Sequence, residues 1–102
     1  MKSEVLKSSK IVVAKDNVWC DVGGEAVVLN VQSGIYYGLN SVGARVWNLI
    51  QRPTTVNTLL ENLLEAYEVA PERCEGDLIC LLQDLVAKNL IMVNSITDDA
   101  PE

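Results

Sequence analysis

A chain of 102 residues, of which 49% are hydrophobic, is long enough for one domain with a modest core and too apolar to be a disordered tail. Its formal net charge of −6 disfavours a nucleic-acid partner, because affinity for phosphate backbones comes largely from Lys and Arg, and only 8 basic residues face 14 acidic ones. The lack of histidine excludes Ser-His-Asp and Cys-His catalytic sites and most zinc sites.

The N-terminal segment and the cysteines favour a cytoplasmic location. MKSEVLKSSK lacks the apolar stretch of a secretory signal, and the longest apolar run, residues 78–82, is far shorter than the roughly 20 residues that span a bilayer. Cys20, Cys74 and Cys80 are an odd number, at spacings that fit neither CxxC nor a zinc finger. We therefore expect reduced thiols and no membrane partner.

The first 40 residues are predicted to form β-structure. Extended chain is predicted for residues 10–14, 18–22, 25–31 and 35–39, the second of these as strand or irregular chain. Residues 25–31 alternate with the period of a half-buried strand, and Gln32-Ser33-Gly34 is a connection of the hairpin type. These segments predict a three-stranded antiparallel meander over residues 10–39. In its last strand, Tyr36 and Tyr37 point to opposite faces.

Two helices are predicted after the meander. Asn40 occupies an N-cap position, and the first helix stops at Arg52-Pro53. Its apolar stripe consists of Val42, Val46, Leu49 and Ile50, and Trp47 is expected in the core beside it. Thr54 or Thr55 caps the second helix. Its apolar stripe is the most regular in the chain and consists of Val56, Leu59, Leu60, Leu63, Leu64 and Tyr67.

A third helix is predicted from Pro71 to about residue 88, followed by a short extended segment over residues 90–93. The sequence therefore predicts one domain over residues 1–94 and an acidic, disordered tail over residues 95–102. The third helix carries a broad stripe that suits a core, made of Leu78, Ile79, Leu82, Leu85 and Val86. A second, narrow apolar row lies beside it, with a charged rim, and consists of Cys74 and Leu81 flanked by Asp77, Asp84 and Lys88.

This second row has two interpretations. The third helix is either well buried on all sides in a small bundle, or it forms one wall of a groove for a partner. The strand Ile35–Leu39 favours the groove, because no later segment is an obvious neighbour and the strand contains neither Lys nor Pro. An unpaired edge accepts an extended peptide as an additional strand. The alternative is an edge protected by twist or by a covering helix.

No catalytic, metal or cofactor site is predicted. The glycines lack the spacing of a phosphate-binding loop, and Glu61 and Glu65 form an i, i+4 pair on the polar face of the second helix. Cys74, near a helix N-terminus, could have thiolate character, but the sequence supplies no base to assist it. By helix phase, Arg45 could support the fold through a carboxylate.

Taken together, the motifs resemble a known family. They are GIYYGLNSVGARVWNLI, the Pro-Thr-Thr-Val helix start with LLENLLEAYEV, and C-x-x-D-L leading to LLQDLVAKNLIMV. Over roughly residues 10–93 the chain is similar to the PqqD-like recognition elements for ribosomally synthesised precursor peptides. Within that family it most resembles the small stand-alone proteins of lasso peptide biosynthesis.

The resemblance implies an α+β, winged helix-turn-helix fold with an N-terminal three-stranded antiparallel sheet followed by three helices. It also implies a protein that is not an enzyme. Such a protein binds the leader segment of a precursor peptide as an extra strand and presents it to a separate leader peptidase, a transglutaminase-like cysteine protease. A cyclase then acts on the core peptide and is a possible further partner.

The resemblance also implies the binding residues. Backbone pairing falls on the third strand of the expected meander, with Tyr37 in an apolar pocket and Tyr36 on the opposite face. The third helix supplies the pocket wall and the polar rim. The expected peptide-binding residues are Ile35, Tyr36, Tyr37, Gly38, Leu39, Cys74, Asp77, Leu78, Leu81, Leu85 and Lys88.

Two rival functions remain open at this point. A PqqD-type peptide chaperone would serve a radical SAM enzyme that acts on a quinone-cofactor precursor. A winged-helix DNA-binding regulator would use the third helix for recognition, and the excess of acidic residues on that helix disfavours entry into a major groove.

Overall fold

The computed structural model describes residue 5 and residues 7–94 of the chain. The expected acidic tail at residues 95–102 lies outside this part. The described elements are, in order, β1 (Lys10–Val13), β2 (Asn17–Val22), β3 (Glu25–Asn30), β4 (Ile35–Leu39), α1 (Ser41–Leu49), β5 (Thr54–Thr55), α2 (Val56–Ala66), α3 (Pro71–Ala87) and β6 (Ile91–Asn94). The predicted change from strands to helices at residue 40 is confirmed.

Strands β2, β3 and β4 form an antiparallel meander. The register places Trp19 opposite Val28 and Val28 opposite Tyr37, so these side chains share the face of the sheet that is turned towards the core. The turn between β2 and β3 contains Gly23 and Gly24, both at positive φ, a conformation that glycine adopts without steric cost. The hairpin predicted before the last strand of the meander is confirmed.

Strand β1 does not belong to this meander, so the prediction of one three-stranded sheet over residues 10–39 is wrong. β1 is the central strand of a second antiparallel sheet, where Ile11 lies opposite both Thr54 of β5 and Val93 of β6. Asp16, at φ 67°, lies in the turn between the two sheets. Ile11 is completely buried in this sheet, whereas β2, its neighbour in sequence, is largely exposed. The burial of Ile11 therefore favours pairing of β1 within the second sheet over pairing with β2.

Each helix begins where the sequence predicts. The side-chain oxygen of Asn40 accepts a hydrogen bond from the Gly43 N–H at 2.8 Å, which caps α1. The hydroxyl of Thr55 accepts one from the Thr58 N–H at 3.2 Å, which caps α2. Pro71 is the first residue of α3, where its missing N–H is not needed. These local interactions set the starting points from which the helices pack.

The core lies between the inner face of the meander, the three helices and the second sheet. Trp47 is completely buried, as predicted, and its ring meets that of Trp19 in a T-shaped arrangement with 6.5 Å between centroids. The other large apolar side chains with almost no exposure are Ile11, Ile50, Leu59, Leu82, Leu85 and Leu90. The architecture is mixed α/β, with two three-stranded antiparallel sheets and three helices in the described part. None of these helices is long and apolar enough to cross a membrane.

The central position of β1 predicts the effect of truncating its buried side chain. Ile11→Ala is expected to lower the free energy of unfolding by about 2–5 kcal/mol, because it removes buried methyl groups and leaves a cavity. Urea denaturation followed by circular dichroism measures this change. Val18→Ala, at a side chain that is 59% exposed in β2, is the matched control and should change stability by about 0.5 kcal/mol or less. Equal effects of the two substitutions would contradict the central position of β1.

Candidate functional site

The first component of the candidate site is the free edge of β4. Among the described strands, β4 pairs with β3 on one side and with no strand on the other. Every second residue of such a strand directs its backbone N–H and C=O groups away from the sheet, where another strand can pair with them. The predicted unpaired edge at Ile35–Leu39 is therefore confirmed.

The two tyrosines of β4 differ as the alternation predicts. Tyr36 is 68% exposed on the outer face of the sheet, whereas Tyr37 is half-buried and packs against the core. Leu39, two residues further along on the same face as Tyr37, is buried. The side chains that point inward from β4 thus become progressively more buried from the start of the strand to the end that meets α1.

The second component is an apolar cavity of about 450 Å³ next to that end of β4. It lies between the first half of α1, the first half of α3, and the end of α2 with the residues that follow it. Asn40 and Asp77 contribute the polar side chains of the wall. The full lining consists of Asn40, Val42, Gly43, Val46, Leu63, Tyr67, Val69, Cys74, Asp77, Leu78 and Leu81.

A close approach between α1 and β4 fixes the cavity beside the strand. A Cβ atom at Gly43 would lie 3.3 Å from the Leu39 Cβ and 3.4 Å from the Asn40 side-chain oxygen. The glycine therefore permits the helix to start directly after the strand, while the Asn40 cap holds its first turn. Together these contacts place the free edge and the cavity side by side.

The predicted peptide-binding residues of α3 fall into three groups. Cys74, Asp77, Leu78 and Leu81 line the cavity. Lys88, at the other end of the helix, lies near Tyr37 instead. Leu85 is completely buried and does not line the cavity, so it supports the wall from the core side.

Lys88 connects the end of α3 to β4. Its Nζ lies 5.0 Å from the centroid of the Tyr37 ring and donates a hydrogen bond to an Asp84 carboxylate oxygen at 2.8 Å. α3 makes few other contacts with β4, since the strand packs mainly on β3 and α1. Lys88 therefore bridges α3 and β4 beside Tyr37, whereas the cavity lies at the Leu39 end of the strand.

Sequence reasoning missed the walls that α1 and α2 contribute. Val42 was expected in the core stripe of the first helix, but it is 40% exposed and lines the cavity. Tyr67 was expected to continue the stripe of α2, but the helix ends at Ala66 and the tyrosine is extended and 37% exposed. An apolar residue in the first turn of a helix, and another just beyond a helix end, are the signals that could have indicated these positions.

Arg45 has partners other than the carboxylate that was expected. Its Nε donates to the side-chain oxygen of Asn62 at 3.1 Å, and its guanidinium lies 5.9 Å from the centroid of the Tyr67 ring. The three ion pairs in the described part of the chain involve other residues. The proposed carboxylate support is therefore wrong, and an amide and an aromatic ring hold this side chain.

Cys74 is a buried, neutral thiol. Burial raises the pKa of Cys74 above its ordinary value, and the nearby Asp77 carboxylate raises it further. The thiolate character considered from its place near a helix N-terminus is thus contradicted, because loss of solvation outweighs the helix end. Cys20 and Cys80 are exposed, and all three cysteines are free.

Comparison with known proteins agrees with this geometry. The model of the family described as Coenzyme PQQ synthesis protein D (PqqD) matches residues 25–91, from the start of β3 to the start of β6. The chain belongs to the PqqD family. The resemblance to PqqD-like recognition elements that the sequence motifs indicate is confirmed. No sequence among the curated proteins matches the chain.

Two solved structures are similar to this PqqD-family chain. One is described as TbiB1 in complex with the TbiA(β) leader peptide; it has 29% sequence identity and a TM-score of 0.75, over 78% of this chain and 93% of that one. The other is described as lasso peptide synthetase B1 complexed with the leader peptide; it has 20% identity and a TM-score of 0.73, over 80% and 96% of the two chains. At 20% identity the second likeness concerns the fold alone.

The raised pKa of Cys74 predicts a pH dependence of stability. The stabilisation linked to this thiol is fully present below its unfolded pKa, near 9.0, and is lost as the pH rises through the higher pKa of the folded state. The free energy of unfolding should therefore fall more steeply above pH 9.0 in the wild type than in Cys74→Ala. Urea titrations across that range measure the difference.

Cys80→Ala is the control for this experiment, because it removes an exposed thiol from the same helix. Its stability should follow the wild-type pH dependence. If Cys74→Ala retains the same slope as wild type, the thiol is not responsible for it.

Proposed function

We propose that this protein binds the leader segment of a ribosomally synthesised precursor peptide of the lasso type. The observation that carries the proposal is the free edge of β4 beside an apolar cavity, which matches the needs of an extended peptide with one buried anchor. The similarity to TbiB1, whose structure contains a leader peptide, supports the same role. The function is recognition rather than catalysis, and we place it in the cytoplasm.

In the proposed complex the leader adds to the sheet as a fourth strand. Its backbone pairs with Ile35–Leu39, and an apolar side chain enters the cavity against Leu78 and Leu81. Asp77 at the cavity wall and Lys88 above Tyr37 are available for polar contacts. Main-chain hydrogen bonds and a few buried anchors commonly give micromolar to nanomolar affinity, on the order of 8–12 kcal/mol.

The winged helix-turn-helix arrangement remains part of this proposal. Its support is the succession of α2 and α3, joined by four residues and accompanied by an antiparallel sheet. A DNA-binding role does not follow from it. α3 carries Glu72, Glu75, Asp77 and Asp84 against Arg73, and a helix with this charge does not favour contact with phosphates.

The description of the matching family model favours a second candidate. A chaperone for a quinone-cofactor precursor would bind its peptide at the same edge and deliver it to a radical SAM enzyme. The two candidates differ in the peptide that binds, and they are separated by testing the short precursors encoded near the gene.

The outer face of the meander supports presentation of the bound leader to a separate peptidase. Val18 lies opposite Leu29, and Leu29 lies opposite Tyr36, so the three side chains form one apolar row across the sheet. Val18 and Tyr36 are 59% and 68% exposed. A leader strand added to β4 would extend this face, with alternate peptide side chains next to Tyr36. We propose that the peptidase contacts this surface, and that the cyclase acts afterwards.

The proposed anchor pocket predicts the effect of a charge in its wall. Leu81→Asp is expected to weaken leader binding by at least about 30-fold, because a carboxylate would have to be buried against an apolar side chain. Fluorescence anisotropy with fluorescein-labelled leaders of the precursors encoded near the gene measures the affinity. Gln83→Asp adds the same charge to the exposed side of α3 and should bind within about threefold of wild type.

Tyr37→Ala and Tyr36→Ala form a second matched pair in the same assay. Loss of the inward ring should weaken binding strongly, whereas loss of the outward ring, which borders only the exposed face of the added strand, should weaken it about fivefold or less. Absence of binding at tens of micromolar for every neighbouring precursor would refute the proposed function. Unchanged affinity in both Leu81→Asp and Tyr37→Ala would refute the placement of the pocket alone.

The proposed peptidase surface predicts a separation of binding from processing. Val18→Asp should bind the leader as wild type does, yet lower the rate of leader removal by the peptidase about tenfold, a loss typical of a central interface residue. Cleavage is followed by mass spectrometry. Met92→Asp places a charge at an apolar side chain that is 50% exposed in the other sheet, and it should cleave normally. Equal rates in the two variants would exclude the meander face as the docking surface.

A further inference from the structure

A second cavity, of about 420 Å³, lies next to the apolar cavity. Tyr67 is the wall that the two cavities share. The second cavity is bordered on the α1 side by Ser41, Arg45 and Asn48, and on the opposite side by Asp21 near the end of β2. A peptide that leaves the apolar cavity over the ring of Tyr67 therefore arrives beside a guanidinium group.

The guanidinium of Arg45 is held in place but keeps donors free. Its Nε is bonded to Asn62, and the ring of Tyr67 lies beneath the group. Within the described part of the chain, no acceptor meets its two terminal amino groups and no carboxylate oxygen lies within 4 Å of it. A planar guanidinium that is fixed through one nitrogen presents the remaining N–H groups in the geometry that a carboxylate accepts.

The other side chains of this cavity favour the same ligand position. One carboxylate oxygen of Asp21 already accepts a hydrogen bond from the Gly24 N–H at 3.1 Å, and the amide group of Asn48 donates to the Ala44 carbonyl at 2.9 Å. A negatively charged ligand would be repelled from the Asp21 side and attracted to the α1 side. Arg45 is thus the cation that such a ligand would meet.

We infer that Arg45 is a specificity-determining residue of the peptide site, which binds a carboxylate side chain of the leader next to the apolar anchor. This inference rests on the proposed leader-binding function and adds to it a preference for an acidic residue in the peptide. Asn62 and Tyr67 are positioning residues, since they hold the guanidinium and are not required to contact the carboxylate themselves. The site therefore binds one apolar and one acidic side chain of the same peptide.

The inference is tested by a double-mutant cycle between protein and peptide. The probes are the fluorescein-labelled leaders described above and a set in which each Asp or Glu is replaced singly by Asn or Gln. Arg45→Gln should weaken binding of the unmodified leader about tenfold, as expected for a charged hydrogen-bonded pair. One peptide replacement should weaken wild-type binding by the same factor and have no further effect on Arg45→Gln.

Two further variants separate recognition from general effects of charge and folding. Arg52→Gln removes the same charge from an exposed residue beyond α1 and should bind within about twofold of wild type. Arg45→Lys keeps the charge without the planar fork and should fall between wild type and Arg45→Gln. Circular dichroism confirms that each variant is folded. The difference between wild type and Arg45→Gln should shrink as NaCl is raised from 50 to 500 mM, since about this range screens exposed charges.

The outcomes distinguish this inference from the function on which it rests. If a leader binds wild type and Arg45→Gln equally, or if the leader that binds contains no acidic residue, the inference is overturned and leader binding stands. If Arg45→Gln affects only cleavage by the peptidase, the carboxylate belongs to the enzyme and the inference is again overturned. If no leader binds wild type, both proposals fail together.

Discussion

The hydrogen bond between the Asn40 side chain and the Gly43 N–H is the constraint on which the candidate site depends. It allows β4 to pass into α1 without a loop, and Gly43 packs so close to Leu39 that a side chain there would force the neighbouring atoms to shift. The first turn of the helix is therefore packed directly against the end of the strand edge. This fixed arrangement favours binding to a surface that combines a strand edge with a pocket. Fewer groups of the protein must be ordered when a ligand binds, so the entropic cost of binding is lower.

Apolar packing rather than charge stabilises this acidic fold. Two of its three described ion pairs, Arg73 with Asp77 at 3.8 Å and Lys88 with Asp84 at 2.8 Å, connect exposed residues one turn apart in or just after α3. Pairs of this kind contribute about 0.3–0.5 kcal/mol. By contrast, Trp47, Ile50 and Leu82 are completely buried. The surface charges are therefore available for solubility and recognition at little cost to the fold.

Local interactions could be predicted from the sequence, whereas tertiary partners could not. The Asn40 and Thr55 caps, the Pro71 start and the opposite faces of Tyr36 and Tyr37 follow from a few neighbouring residues, and all were predicted. The pairing of β1 with β6 joins residues about 80 positions apart, and no local pattern in the sequence indicates it. The same limit explains Val42, because helix phase groups residues by face, but the neighbouring elements decide whether a face is covered, and Val42 lines the cavity. For Leu85 the helix phase correctly indicated the core, and it was the family resemblance that added this residue to the binding wall.

The T-shaped pair of Trp19 and Trp47 has an optical consequence. These are the two tryptophans of the chain, and they join the meander to α1 with 6.5 Å between their rings. Two indole rings at that separation, with their planes 82° apart, are close enough for their electronic transitions to couple as an exciton pair, which is observed in the far-ultraviolet circular dichroism spectrum. The sheet and the helix that border the candidate site thus contain an intrinsic reporter of their mutual packing, which needs no attached dye.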